Sequence, residues 1–411
     1  MTKQSFVIVG ASLAGAKAAQ ELRDRGFDGE ITLIGSEPER PYGRPPLSKD
    51  YLRGESEREK AYVHPAEFYE EHAIALLTEA TVTRLDARGS RVLLDDGREL
   101  AYDRLLLTTG AEPRRISIPG AELEGIYYLR TLADCDAIRA RLDAGARLAV
   151  VGAGWIGTEV AASARQRGLE VTVIEPLRLP YERLGAEIGE FCRDVHVQHG
   201  VTMLLGRGVQ AFEGDGTVRR VRTDDGTNIE CDFAVVAVGV VPRTDLAHQA
   251  GLEVDNGVVV NERLVSSAPN IFAAGDVANA WHPFYDEQIR VEHWSNALNQ
   301  GPAAARSMLG DEAGYARLPY FFSDQYNVGM DYSGYTTDWD EVVFRGDRRG
   351  GEFIAFWLKA GQVVAGMNVN VWDVNDQVQA LIRSRHPVDL VALRDPDTPL
   401  ESLVGESSQS K

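Results

Sequence analysis

Cysteine is scarce in this chain of 411 residues: three occur, Cys135, Cys192 and Cys231, far apart from one another. No CxxC pair or zinc-type spacing is present, and the odd total argues against a framework of structural disulfides. No cysteine precedes position 135, so a thiol relay, which needs a thiolate beside its redox partner, has no candidate in the N-terminal third. Basic charge is short as well. Lys plus Arg number 43 against 62 Asp plus Glu, a formal net charge of −19, and so acidic a chain is repelled by phosphate backbones and anionic lipid. Neither nucleic acid nor membrane is expected as a partner. No apolar run approaches the roughly 18 residues a bilayer span requires, and Met1-Thr2-Lys3-Gln4 enters an apolar strand at Phe6 without a signal-peptide layout. The expectation is a soluble, cytoplasmic protein. The eight histidines show no ligand spacing, so no metal is expected.

Hydrophobic residues make up 44% of the chain, enough to fill two or three cores. Phe6-Val7-Ile8-Val9 runs into Gly10-Ala11-Ser12-Leu13-Ala14-Gly15 and then into a stretch rich in helix formers, and Ile31-Thr32-Leu33-Ile34 leads to Gly35-Ser36-Glu37. This is one βαβ unit with an acid after its second strand. The pattern recurs: Arg147-Leu148-Ala149-Val150-Val151 precedes Gly152-Ala153-Gly154-Trp155-Ile156-Gly157, a helix is predicted through Arg167, and Glu170-Val171-Thr172-Val173-Ile174 closes on Glu175. Two such units imply two nucleotide-binding lobes.

Three further apolar runs end in glycine, at Thr109-Gly110, at Gly239 and at Gly275-Asp276, and each reads as a buried parallel strand that brings a small residue to a ligand edge. From Pro319 onward aromatics and alternation take over, as an antiparallel sheet would require. The expected architecture is α/β, with two Rossmann-like dinucleotide-binding domains and a small C-terminal α+β domain at 319–411. One dinucleotide domain is discontinuous (1–111 and 240–318) and the other spans 112–239. Residues 406–411 are expected to be disordered.

In a G-x-G-x-x-G turn the glycines allow a tight bend and a close approach to a pyrophosphate, while the helix N-terminus turns free N–H groups toward the anion. Gly152, Gly154 and Gly157 satisfy it fully. A carboxylate at Glu175 can accept from both ribose hydroxyls and repel a 2′-phosphate, which favours NADH over NADPH. The first turn places Ser12 where the middle glycine belongs, and by itself it is equally compatible with a plain βαβ crossover. Glu37 and Asp276 support the nucleotide reading, since an aspartate after a buried strand can hold a ribityl hydroxyl or bridge to phosphate, although Asp276 as a helix N-cap fits too.

The order of these features resembles a known family. The first fingerprint, Arg40-Pro41-Tyr42-Gly43-Arg44-Pro45-Pro46-Leu47-Ser48-Lys49, the second fingerprint with Glu159, Ala274-Gly275-Asp276, Glu292-His293-Trp294-Ser295-Asn296-Ala297 and Pro319-Tyr320-Phe321-Phe322-Ser323-Asp324-Gln325 are similar to the FAD-dependent NADH:ferredoxin reductases that serve cytochrome P450s and aromatic-ring dioxygenases. That resemblance implies FAD on the first lobe, NADH on the second, a hydride passed from nicotinamide to flavin, and single electrons passed to a [2Fe–2S] ferredoxin. It implies that Lys49 lies near the reactive flavin nitrogen and pairs with Glu159, where a lysine stabilises negative charge on the reduced ring and the carboxylate keeps that lysine charged.

The same resemblance assigns Gly10, Ser12, Ala14, Gly15, Ser36, Glu37, Arg44, Val82, Thr109, Gly110, Arg130, Gly275, Asp276, Trp294 and Phe322 to FAD. It assigns Gly152, Gly154, Trp155, Ile156, Gly157, Glu159, Glu175, Arg183 and Gly239 to NADH. Trp155 stands where relatives carry a large side chain over the flavin, and a helix predicted over 296–306 points its N-terminus at the flavin. Phe322 replaces a tryptophan common in relatives, which keeps a ring but removes an indole N–H. An acidic chain that docks an acidic ferredoxin needs a local basic patch, for which Arg306, Arg383 and Arg385 are the candidates. A monomer or weak dimer is expected. An oxidase, or a reductase of a small quinone or radical, would keep every one of these motifs. A signalling flavoprotein like apoptosis-inducing factor has less support, because no basic bias is present.

Overall fold

The computed structural model describes residues 3–145 and 147–405; the expectation for 406–411 lies outside the described residues. The chain divides into two compact units, each assembled from separate segments. The first comprises Met1–Pro45, Glu57–Glu112 and Val240–Arg317, and the second Pro46–Ser56, Pro113–Gly239 and Leu318–Lys411.

A five-stranded parallel sheet forms the centre of the first unit, in the order Ile271–Ala273, Arg104–Leu107, Ser5–Val9, Glu30–Ile34, Ile74–Leu77. Consecutive residues of a strand point to opposite faces, and Phe6, Val7, Ile8 and Val9 are all buried. Both faces are therefore covered, which is why these strands read as unbroken apolar runs. Helix Leu13–Asp24 buries Leu13, Ala14, Ala16, Ala18, Ala19 and Leu22 and packs on helix Trp294–Met308. The two approach closely because position 301 lacks a side chain: a Cβ at Gly301 would lie 2.2 Å from the carbonyl oxygen of Ala14. The second of these helices extends at both ends beyond the predicted 296–306.

The second unit repeats the plan, with parallel strands in the order Thr202–Leu205, Val171–Glu175, Leu148–Val151, Phe233–Val236, Ile126–Tyr127. Its fingerprint helix is Trp155–Gln166. The same unit holds a five-stranded antiparallel sheet, ordered Tyr320–Gln325, Val328–Gly334, Gln362–Val369, Glu352–Lys359, Glu341–Asp347. Phe353, Trp357 and Met367 share a core with Ile188 and Cys192 of helix Ala186–Gln198, and helix Asn375–Ser384 packs on the sheet as well. Among the described residues no helix is long and apolar enough to cross a membrane, and no group of three or more His, Cys, Asp or Glu is placed to hold a metal ion.

Candidate active site

In the first unit, strand Ser5–Val9 ends at Gly10 with φ +121°, and a Cβ there would sit 2.1 Å from the carbonyl oxygen of Thr108. A Cβ on Gly15 would sit 2.3 Å from the carbonyl oxygen of Gly10. Both glycines are thus demanded by the strand-to-helix turn itself. Ser12 is the N-cap of helix Leu13–Asp24, yet its side chain forms no capping bond. Its hydroxyl oxygen accepts from the Arg44 guanidinium instead, and Arg44 Nη2 stands 3.6 Å from Glu37 Oε1. The Tyr42 hydroxyl donates to Glu37 at 2.5 Å. Ser12, Glu37 and Arg44, expected from separate motifs, therefore meet at one helix N-terminus, joined by Tyr42, which was not among the expected residues. A helix N-terminus with a guanidinium suits a pyrophosphate, and a carboxylate suits a ribose diol. The donor set fits the FAD expected here.

Asp276 lies in the short turn Gly275–Val277, where its carbonyl accepts from Arg290 Nη1 at 3.2 Å. The Gly275 N–H donates to Gln300 Oε1 at 2.9 Å. Thr109 Oγ1 donates to the Arg243 carbonyl at 2.8 Å, Gly110 has φ +69°, and Ser36 is exposed. Trp294 is exposed at the start of its helix. Ala14 sits in the helix–helix packing and Val82 in the hydrophobic core of this unit. The remaining FAD candidates, Lys49, Arg130 and Phe322, belong to the second unit. The Arg130 backbone N–H donates to Asp134, whose side chain completes the capping box of helix Leu132–Asp143.

The second fingerprint divides its glycines by role. A Cβ on Gly152, at φ +103°, would lie 2.4 Å from the Ala237 carbonyl oxygen, and one on Gly157 would lie 2.1 Å from that of Gly152. A Cβ on Gly154 would meet nothing within 4 Å, so the protein itself does not need glycine there; the open space suits a ligand. Gly154→Val is accordingly expected to raise the KM for NADH about tenfold with Tm unchanged, whereas Gly152→Val should unfold the domain. Equal KM values for wild type and Gly154→Val would contradict this. Glu175 is buried at the strand end, where it accepts from Ala153 N–H at 2.7 Å and Leu177 N–H at 3.0 Å. Ile156, Arg183 and Gly239 are exposed.

Lys49 and Glu159 also meet in this unit, with Nζ 2.8 Å from Oε2 and relative exposures of 9% and 4%. The Ser48 hydroxyl donates to the same carboxylate oxygen at 2.5 Å, and the Ser323 hydroxyl donates to the other at 2.7 Å. Neither serine was among the expected residues; each lies within a recognisable motif, one beside Lys49 and one beside Phe322. The Phe322 ring centroid is 5.4 Å from Lys49 Nζ. The segment that carries Lys49 is tied down by Ser163, whose hydroxyl donates to the Ser48 carbonyl at 2.7 Å, and by Tyr51, whose hydroxyl donates to Asp136 at 2.7 Å. Trp155 stacks on Tyr181 with centroids 4.0 Å apart and meets Phe321 edge-on.

All three cysteines are buried and free. Burial pushes the Cys135 and Cys231 thiols up to about 12 and the Cys192 thiol higher still. None is a thiolate near neutral pH, and the thiolate is the reactive form. Treatment of the native protein with N-ethylmaleimide at pH 8 should leave NADH oxidation unchanged; rapid inactivation would reveal a thiol in the chemistry. Of the expected docking arginines, Arg306 forms an ion pair with Glu21 at 2.9 Å, and Arg383 and Arg385 lie at the surface.

Residues 4–301 match the family model described as pyridine nucleotide-disulphide oxidoreductase, and residues 320–404 match the one described as reductase C-terminal. Rhodocoxin reductase of Rhodococcus erythropolis is 40% identical over 402 residues, covering 97% of this chain and 94% of that protein. The ferredoxin–NAD(+) reductase component of the anthranilate 1,2-dioxygenase system of Burkholderia cepacia is 38% identical over 409 residues, covering 98% of this chain and 100% of that protein. Among solved structures, a chain of the covalent putidaredoxin reductase–putidaredoxin complex superposes with a TM-score of 0.95 at 35% identity, covering 100% of both chains.

Proposed function

Since the chain belongs to the pyridine nucleotide-disulphide oxidoreductase family, and within it to the ferredoxin reductases, we propose that it oxidises NADH and reduces a [2Fe–2S] ferredoxin serving a cytochrome P450 or an aromatic-ring dioxygenase. Bound FAD supplies the conversion of a two-electron hydride into single electrons. We assign FAD to residues 1–111 and 240–318, NADH to 112–239, and a small accessory domain to 319–411. The observation that carries this reading is the pairing of two dinucleotide turns, each followed by a strand-end carboxylate, with three cysteines that are all buried and protonated. Electrons that have no thiol route must leave for an external carrier.

The residues then divide the work. Arg44 and the helix N-terminus at Ser12 hold the FAD pyrophosphate, with Glu37 on the ribose. Glu175 selects NADH, and Gly154 admits its pyrophosphate. Lys49 supplies positive charge where the flavin ring becomes negative, and Glu159, 2.8 Å from its Nζ, holds the ammonium in place. Arg383 and Arg385 offer exposed positive charge to an acidic partner against a net charge of −19. We take the compartment to be the cytoplasm, where buried thiols stay reduced. Reconstitution tests the cofactor assignment: apoprotein titrated with FAD should bind one flavin per chain, and anaerobic NADH should bleach its visible band. A chain that retains no flavin, or a flavin that NADH leaves oxidised, would overturn the proposal.

A further inference from the structure

We propose that Gln325, oriented by the buried imidazole of His196, is a positioning residue for the Lys49–Glu159 pair. The proposal deepens the reading of Lys49 above and rests on it. Glu159 does not stand alone behind its lysine. From its second oxygen a line of buried side chains runs through Ser323 and Gln325 to His196, on helix Ala186–Gln198, and all four are at most 4% exposed. The links are Ser323 Oγ to Glu159 Oε1 at 2.7 Å, Gln325 Nε2 to Ser323 Oγ at 3.0 Å, and His196 Nε2 to Gln325 Oε1 at 2.8 Å. Tyr326 OH lies 3.3 Å from His196 Nδ1 at the far end.

One end of this line determines the direction of every bond in it. An ionised carboxylate only accepts, so the Ser323 hydroxyl must spend its proton on Glu159. The serine oxygen then takes a proton from the Gln325 amide nitrogen, which turns the amide oxygen toward His196. An oxygen facing the ring requires the proton on Nε2, leaving Nδ1 to accept from Tyr326. Burial pushes the imidazole down to about 4, so it is neutral at physiological pH and can hold this single tautomer. The second N–H of the same amide faces Tyr181 OH at 3.0 Å and Thr158 Oγ1 at 3.1 Å, which share it. Thr158 adjoins Glu159, and Tyr181 is the platform on which Trp155 stacks. Strand Tyr320–Gln325 thereby locks the helix turn that carries Glu159. A buried network of this kind rigidifies its members only when every one of them is satisfied. Breaking one link should leave Glu159 free to rotate away from Lys49.

Imidazole nitrogen NMR on the FAD-loaded protein, labelled at histidine, reads the relay independently of turnover. It should show His196 neutral and protonated at Nε2 from pH 6 to 8; a charged ring or the Nδ1 tautomer would overturn the proposal. Stopped-flow flavin reduction supplies the second readout. Ser323→Ala and Gln325→Leu should each slow reduction by NADH about tenfold with the Kd for NADH unchanged. In a Glu159→Gln background neither should add a further loss. His196→Gln, which can donate to Gln325, should restore a rate that His196→Leu loses. A slow Glu159→Gln beside Ser323→Ala and Gln325→Leu at wild-type rates would overturn this proposal alone. Wild-type rates in Glu159→Gln itself would overturn the reading of Lys49 and the relay with it.

Discussion

Replacing Lys49 by methionine is expected to slow flavin reduction by NADH about a hundredfold, near 2.7 kcal/mol in barrier height. The ammonium is the one cation within 4 Å of Glu159 among the described residues. Methionine keeps much of the length and removes the charge. Two effects are then superimposed. A buried carboxylate left without its cation costs about 3–5 kcal/mol of stability, softened here because Ser48 and Ser323 still donate to it. The loss of positive charge acts on the rate. The double variant Lys49→Met with Glu159→Gln separates them, because it buries no unpaired charge. Its Tm should return toward that of the wild type while its reduction rate stays low. Recovery of both would show the pair to be structural only.

Glu175 carries the second large effect. The wild-type protein should favour NADH over NADPH by about a hundredfold in kcat/KM, since a 2′-phosphate brought against a buried carboxylate costs several kcal/mol. Glu175→Gln should bring that ratio down to about tenfold or less. The choice of glutamine matters because the two carboxylate oxygens also hold the N–H groups of Ala153 and Leu177. An amide keeps an oxygen for one of them. Arginine would leave both unpaired in a buried turn, at about 1–3 kcal/mol each, so its loss of activity would mix misfolding with specificity. A ratio of two cofactors measured on one enzyme is insensitive to the folded fraction. Equal use of NADPH by the wild type would show that Glu175 serves only the turn.

What could be read from the chain, and what could not, follows from the range of the interactions. The two nucleotide turns are local: glycine spacing, strand and helix lie within a few residues, and their steric demands recur at Gly10 and Gly152. The parallel strands show because both their faces are covered. The C-terminal sheet reads from its aromatics more than from strict alternation, since Glu352–Lys359 is buried on six consecutive positions and lacks the alternation of an antiparallel strand with one wet face. The site contacts are harder still. Ser323 and Glu159 are separated by 164 positions, and His196 and Gln325 by 129. No local pattern announces such pairs, and His196 carries no ligand spacing that would single it out. The same holds for the segment Pro46–Ser56, which joins the second unit although it is flanked on both sides by the first. Tyr42 was in view within a motif, but its bond to Glu37 depends on a fold that returns the proline-rich loop to the end of the second strand.

The measurement closest to the central claim follows NADH consumption by the FAD-loaded protein under air, with and without an added [2Fe–2S] ferredoxin, while ferredoxin reduction is recorded in parallel. Oxidation should be slow without ferredoxin and should rise to saturation as ferredoxin is added, each hydride reducing a pair of ferredoxins. NADH oxidation that proceeds at full rate with oxygen alone, and that ferredoxin neither speeds nor drains of electrons, would contradict the account.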